Sequence, residues 1–157
     1  MLILSLLSLA QAGCKLETKA DPITGVSTAT VDFGNPTRWK LVKTGDAVRM
    51  HSRFVHFAVV DEGLPAGFVW TLKLADDTIL ELVSEADALP NAMATAYGVQ
   101  TEFYPVFPLT DAQLDQLAGS PIVFMRRSMF GEQADVDLGK KYQKRYQASF
   151  ACMAEAD

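Results

Sequence analysis

The chain has 157 residues, 49% of them apolar and 21% charged, with 14 Lys and Arg against 19 Asp and Glu for a net charge of -5. That length suits one domain with a real core, and that composition excludes a disordered tail, a collagen-like repeat and a disulfide-dense miniprotein. The acidic balance argues against a broad nucleic-acid surface, which needs clustered positive charge.

Met1 to Ala12 (MLILSLLSLAQA) is uncharged and almost wholly apolar. As a helix it would rise about 18 Å, well short of the roughly 30 Å hydrocarbon core of a bilayer. It is the size of the apolar part of a secretory signal, and Ala10-Gln11-Ala12 supplies the small residues read at a cleavage site. No Lys or Arg precedes the run, which a start further upstream would supply; the competing reading is a buried N-terminal strand. Residues 1–13 are therefore expected to be a signal-like segment and 14–157 a single domain, periplasmic or secreted. Ala12-Gly13-Cys14 also has the look of a lipobox end, although Gln11 stands where Leu, Val or Ile is usual. In that reading Cys14 is acylated and the protein is held at an outer-membrane or cell surface.

The chain has two cysteines, Cys14 and Cys152, near the two ends of the mature chain. An even count in an exported protein favours a disulfide, and termini often lie close together on a domain surface. Two distant cysteines and two histidines form no ligand cluster, so no metal and no cofactor is implied.

Along the chain, Asp21-Pro22-Ile23-Thr24-Gly25 reads as a turn within a polar stretch. Val26 to Phe33 reads as a strand ended by Gly34-Asn35-Pro36, and Arg38 to Val42 and Ala47 to Val60 as two more. Phe68 to Ala75 and Thr78 to Ser84 form the clearest hairpin, closed by Asp76-Asp77. That register puts Phe68, Trp70, Leu72 and Leu74 on one face with Ile79 and Val83, the expected core. Met93 to Phe107 is aromatic and extended in character. Thr110 and Gln113 make a capping box for a short helix carrying Leu114 and Leu117 and ending at Gly119. Pro121 to Met125 suits a buried strand emerging at Arg126-Arg127. Leu138, Tyr142, Tyr146, Phe150 and Met153 recur at helical spacing and predict a C-terminal helix. Strands first, then helices with a strand between them, indicate an α+β fold, an antiparallel sheet with both helices packed on one face. A β-sandwich with a terminal helix is the alternative.

Local catalytic signatures are missing: no phosphate-cradling glycine loop, no His-Glu-x-x-His, no Gly-x-Ser-x-Gly and no Cys-x-x-Cys occurs. His51 and His56, read on one strand, would face opposite sides and could not share a metal. Asp135-Val136-Asp137 with Glu132 offers carboxylates, but an N-cap for the last helix explains them more simply than a cation site. Arg49, His51, Arg53, Arg126, Arg127, Lys140 and Lys144, with Lys141 and Arg145, form a candidate basic patch for phosphate or an anionic polymer; solvated faces on separate elements are the alternative. Trp39, Trp70, Tyr97, Phe103, Tyr104 and Phe107 could line a cleft or pack the core.

These segments, from Cys14-Lys15-Leu16-Glu17 and Asp21 to Gly25, through Leu72 to Asp77, Tyr104 to Leu114 and Ile122 to Arg127, to a final helix with Cys152, resemble a group of small uncharacterised exported bacterial proteins. The resemblance implies a secreted α+β domain with a cysteine near each end and carries no functional residue. The expectation is an exported noncatalytic domain that binds a partner protein or a small anionic ligand. The competing expectations are a small hydrolase with a histidine general base and a membrane-anchored lipoprotein.

Overall fold

The computed structural model describes residues 14–156, so the signal-like segment lies outside the described residues. The strands are β1 (Leu16–Ala20), β2 (Ser27–Asp32), β3 (Lys40–Thr44), β4 (Ala47–His51), β5 (Phe54–His56), β6 (Val69–Leu74), β7 (Ile79–Val83), β8 (Asn91–Thr95), β9 (Gly98–Phe103) and β10 (Val106–Leu109). Helix α1 (Asp111–Gly119), β11 (Ile122–Met129), β12 (Glu132–Asp137) and helix α2 (Lys140–Ala154) follow. Three antiparallel sheets result, ordered β1-β2-β3-β4-β10, β12-β11-β6-β7 and β5-β9-β8. This is an α+β fold.

Aromatic side chains join the layers. Trp39, just before β3, meets Trp70 of β6 edge to face at 4.9 Å, and Trp70 lies 5.1 Å from Phe54. Tyr146 and Phe150 of α2 each lie 5.2 Å from Phe33 between their ring centres. Such pairs add about 0.5–1.5 kcal/mol each beyond the area they bury. Trp39, Trp70, Phe103 and Phe107 are therefore core, while Tyr97 is exposed and Tyr104 half-exposed.

The capping box forms as its spacing predicts: Gln113 N donates to Thr110 Oγ1 at 3.2 Å, and Thr110 N donates back to Gln113 Oε1 at 3.0 Å. Helix α2 buries Tyr146, Phe150 and Met153 along its apolar stripe. Cys14 and Cys152 form a disulfide with their Cα atoms 6.4 Å apart, tying the start of β1 to the end of α2.

Several elements differ from the sequence expectation. The β6–β7 loop has three residues, Ala75 to Asp77, with Asp77 at φ 67°, Asp77 N donating to Leu74 O and Leu74 N to Thr78 O. One extra residue reverses every side chain beyond it. Leu80 and Leu82 consequently face inward opposite Leu72 and Trp70, while Ile79 and Val83 are exposed. The run Ala47 to Val60 breaks at Ser52-Arg53, so His51 and His56 stand on strands of different sheets. Met93 to Phe107 spans parts of three strands. Glu132 to Asp137 is strand β12, and Gly139 is the N-cap of α2, so neither Asp135 nor Asp137 caps it.

Candidate functional site

Four of the seven patch residues are occupied within the fold. Arg49 Nε donates to Glu85 at 3.0 and 3.1 Å. Arg126 makes a two-pronged pair with Asp135 across the β11–β12 ladder at 2.8 and 2.7 Å. Arg53 pairs with Glu102. Arg127 is half-buried with its guanidinium 4.8 Å above the Phe54 ring, and burial lowers its pKa. Lys140 and Lys144 are exposed on α2. His51 faces a hollow.

The Arg53 pair belongs to a small polar cluster. Glu102 is only 2% exposed and accepts from Arg53, from Tyr104 Oη and from Gln100 Nε2, the last at 2.9 Å. The hydrogen bond from Arg53, helped by those from Tyr104 and Gln100, pulls the Glu102 carboxyl down to about 2 against its own desolvation. A buried carboxylate without such donors would titrate upward instead. Hydrogen bonding to this carboxylate raises the pKa of Tyr104.

The hollow consists of two adjoining depressions of about 500 and 610 Å³ that share Asp32, Gly34 and Lys40. Ladder registry explains its make-up. Asp32 lies opposite Lys40, and Lys40 opposite His51, so three solvent-facing residues form a row across β2, β3 and β4. Lys15, immediately before β1, and Glu17 within it line the same space. Arg145 of α2 closes one side: its Nη1 donates to Asn35 O at 3.1 Å while Nη2 lies over Gly34. Gly34 has φ +69° and no room for a Cβ beside that guanidinium, so glycine is required on two counts. Asp32 Oδ1 accepts from Gly34 N at 2.6 Å and pins the turn. Arg38 at φ 55°, Tyr104 and the buried Ser52 complete the second depression.

Electrostatically the hollow opposes the rest of the molecule. Lys15, Arg38, Lys40 and Arg145 face it against two carboxylates, Glu17 and Asp32, in a chain of net charge -5. The side chains of Lys15, Arg38 and Lys40 make no ion pair or hydrogen bond among the described residues. Partial burial of the His51 ring, with Arg49 and Lys40 adding to it, holds its pKa below the usual histidine value, and Glu85 opposes the shift. Cations and N–H donors arranged in this way are chemically suited to a negatively charged group.

Arg145 and His51 were accessible to sequence reasoning; Lys15, Arg38 and Lys40 were not. For Arg38 and Lys40 the one local signal is cationic crowding after Gly34-Asn35-Pro36, which becomes a site, joined by Lys15, only once strand pairing is known. Among the described residues no group of three His, Cys, Asp or Glu side chains could hold a metal ion, and no helix is long and apolar enough to cross a membrane. No family model, no curated protein and no solved structure matches the chain.

Proposed function

We propose that this chain is an exported, noncatalytic domain that binds a small anionic ligand in the hollow beside the Gly34 turn. The observation that carries the reading is the contrast in commitment among the cations. Arg49, Arg53 and Arg126 are each held by a carboxylate, whereas Lys15, Arg38 and Lys40 face an open depression and none of their side chains forms an ion pair among the described residues. Export is supported by the apolar opening run and by the disulfide, which persists in oxidising compartments. The disulfide uses the Cys14 sulfur that acylation would occupy, and this favours an unanchored form over a lipoprotein. Mass spectrometry of the mature protein checks that point: an acyl adduct on Cys14 refutes it.

A hydrolase with a histidine general base needs that histidine in hydrogen-bond reach of both a reacting group and an orienting partner. His51 makes no such bond among the described residues. His56 Nδ1 lies 4.0 Å from the exposed Glu132, and its ring packs against Phe130. The binding reading is therefore preferred.

Sulfate, a dianion that does not titrate near neutrality, is a suitable probe for calorimetry and amide chemical-shift mapping. Saturable binding centred on residues 32 to 40, weakened about tenfold by Arg38→Gln or Lys40→Gln and unaffected by Arg126→Gln, is expected, a tenfold loss being about 1.4 kcal/mol. Absence of saturable binding, or equal affinity in all three variants, refutes the assignment.

A further inference from the structure

Among the described residues six strands lie at sheet edges, where unpaired N–H and C=O groups can template pairing with another chain. Five carry a feature that discourages it. β1 has Glu17 and Lys19, β7 has Glu81, and β12 has Glu132, Asp135 and Asp137. β10 contains Pro108, and β5 is only three residues long. β8 differs. Its sequence Asn-Ala-Met-Ala-Thr holds neither charge nor proline, and all five residues are exposed. No charged side chain occurs anywhere between Asp87 and Glu102, in a chain that is 21% charged.

We propose that β8 pairs antiparallel with β8 of a second copy of this chain about a two-fold axis. The two three-stranded sheets then become one of six strands, ordered β5-β9-β8-β8-β9-β5. A second copy is favoured over a foreign strand by the symmetry of Ala92-Met93-Ala94, which matches itself when two copies run antiparallel. Net charge of -5 on each copy opposes association and keeps it weak, but two β8 edges meet without a like charge on either side. The strand is also suited to meeting itself. With the axis at its middle residue, Met93 packs on Met93 of the second copy, and Ala92 lies beside Ala94 of the other chain. Small alanines let the strands approach, and the flexible thioethers adapt to each other. Exposed Val99, opposite Ala94 on β9, extends the apolar surface on the alanine face.

Sedimentation velocity on the oxidised chain over about 1 μM to 1 mM, the range of a weak interface, reads the proposal directly. The expected result is a concentration-dependent monomer–dimer equilibrium whose dissociation constant rises at least about tenfold in Met93→Lys, which sets two ammonium groups face to face at the axis. Met93 is already solvent-exposed, so this change is expected to leave the fold intact, and circular dichroism verifies that. As a second reading, Met93→Cys is expected to cross-link two copies under mild oxidation, whereas Tyr97→Cys at the hairpin tip is not. A monomer across the whole range overturns the proposal. So does a dimer equally stable in Met93→Lys, or equal cross-linking of the two cysteine variants.

Discussion

Replacing Glu102 by glutamine keeps the shape of the side chain and removes the charge at the centre of the Arg53–Tyr104–Gln100 cluster. In the folded protein this carboxyl titrates at about 2 against a usual 4.5. A difference of about 2.5 units at 1.36 kcal/mol each corresponds to roughly 3 kcal/mol of stability. Because the folded value is the lower one, the contribution is complete above about pH 4.5 and fades as the pH falls toward 2. Glu102→Gln is therefore expected to cost about 3 kcal/mol at pH 7, in line with breaking a buried ion pair, and little at pH 2. Urea unfolding of parent and variant at pH 7, 4 and 2.5 measures both the size and its pH dependence. A variant within about 1 kcal/mol of the parent at pH 7, or parallel pH profiles, would refute the assignment of this cluster as a stabilising ionic centre.

Four further outcomes are expected. Leu82→Ala, in the core opposite Trp70, should cost about 2–5 kcal/mol, and Val83→Ala less than about 1; the reverse order in denaturant unfolding would restore the two-residue turn. Gly34→Ala should lose about 1–2 kcal/mol for its positive φ and also displace Arg145, measurable as weaker sulfate binding than in the parent. Cys14→Ser with Cys152→Ser opens a bridge spanning 138 residues and should lower stability by up to about 5 kcal/mol in the chain-entropy limit, with faster amide exchange concentrated in the fully exposed β1. Sulfate affinity should increase on acidification with a midpoint below the usual histidine pKa, because protonated His51 adds a cation to the hollow; Handing that position to glutamine (His51→Gln) should flatten the profile.

Features set by short-range chemistry could be read directly from the amino-acid order. The Thr110–Gln113 box and the stripe of Tyr146, Phe150 and Met153 each depend on residue type at fixed spacing, whereas the cysteine pair, 138 residues apart, follows from there being two cysteines to join. Errors arose where one residue decides a register. Asp77 adopts a left-handed conformation that asparagine, aspartate and glycine tolerate, and it converts a two-residue loop into three. Strands β1 and β12 escaped notice because both are polar and exposed almost throughout, and their hydrogen bonds to β2 and β11 leave no hydrophobic alternation. The site followed the same rule. A list of basic residues could not distinguish Arg126, locked to Asp135 nine positions away, from Lys40, which has no such partner. Commitment of a cation is a property of three-dimensional neighbours.

The sulfur bridge also dictates how the molecule can be handled. Because it brings Cys14 beside Cys152, it anchors the start of β1 against α2, and the neighbouring Lys15 and Ser149 line the hollow. A tag, bead or surface attached through the Lys15 amine thus crowds the mouth where a ligand would enter. Tethering at the remote tip of an exposed turn such as Thr24 instead leaves that entrance open.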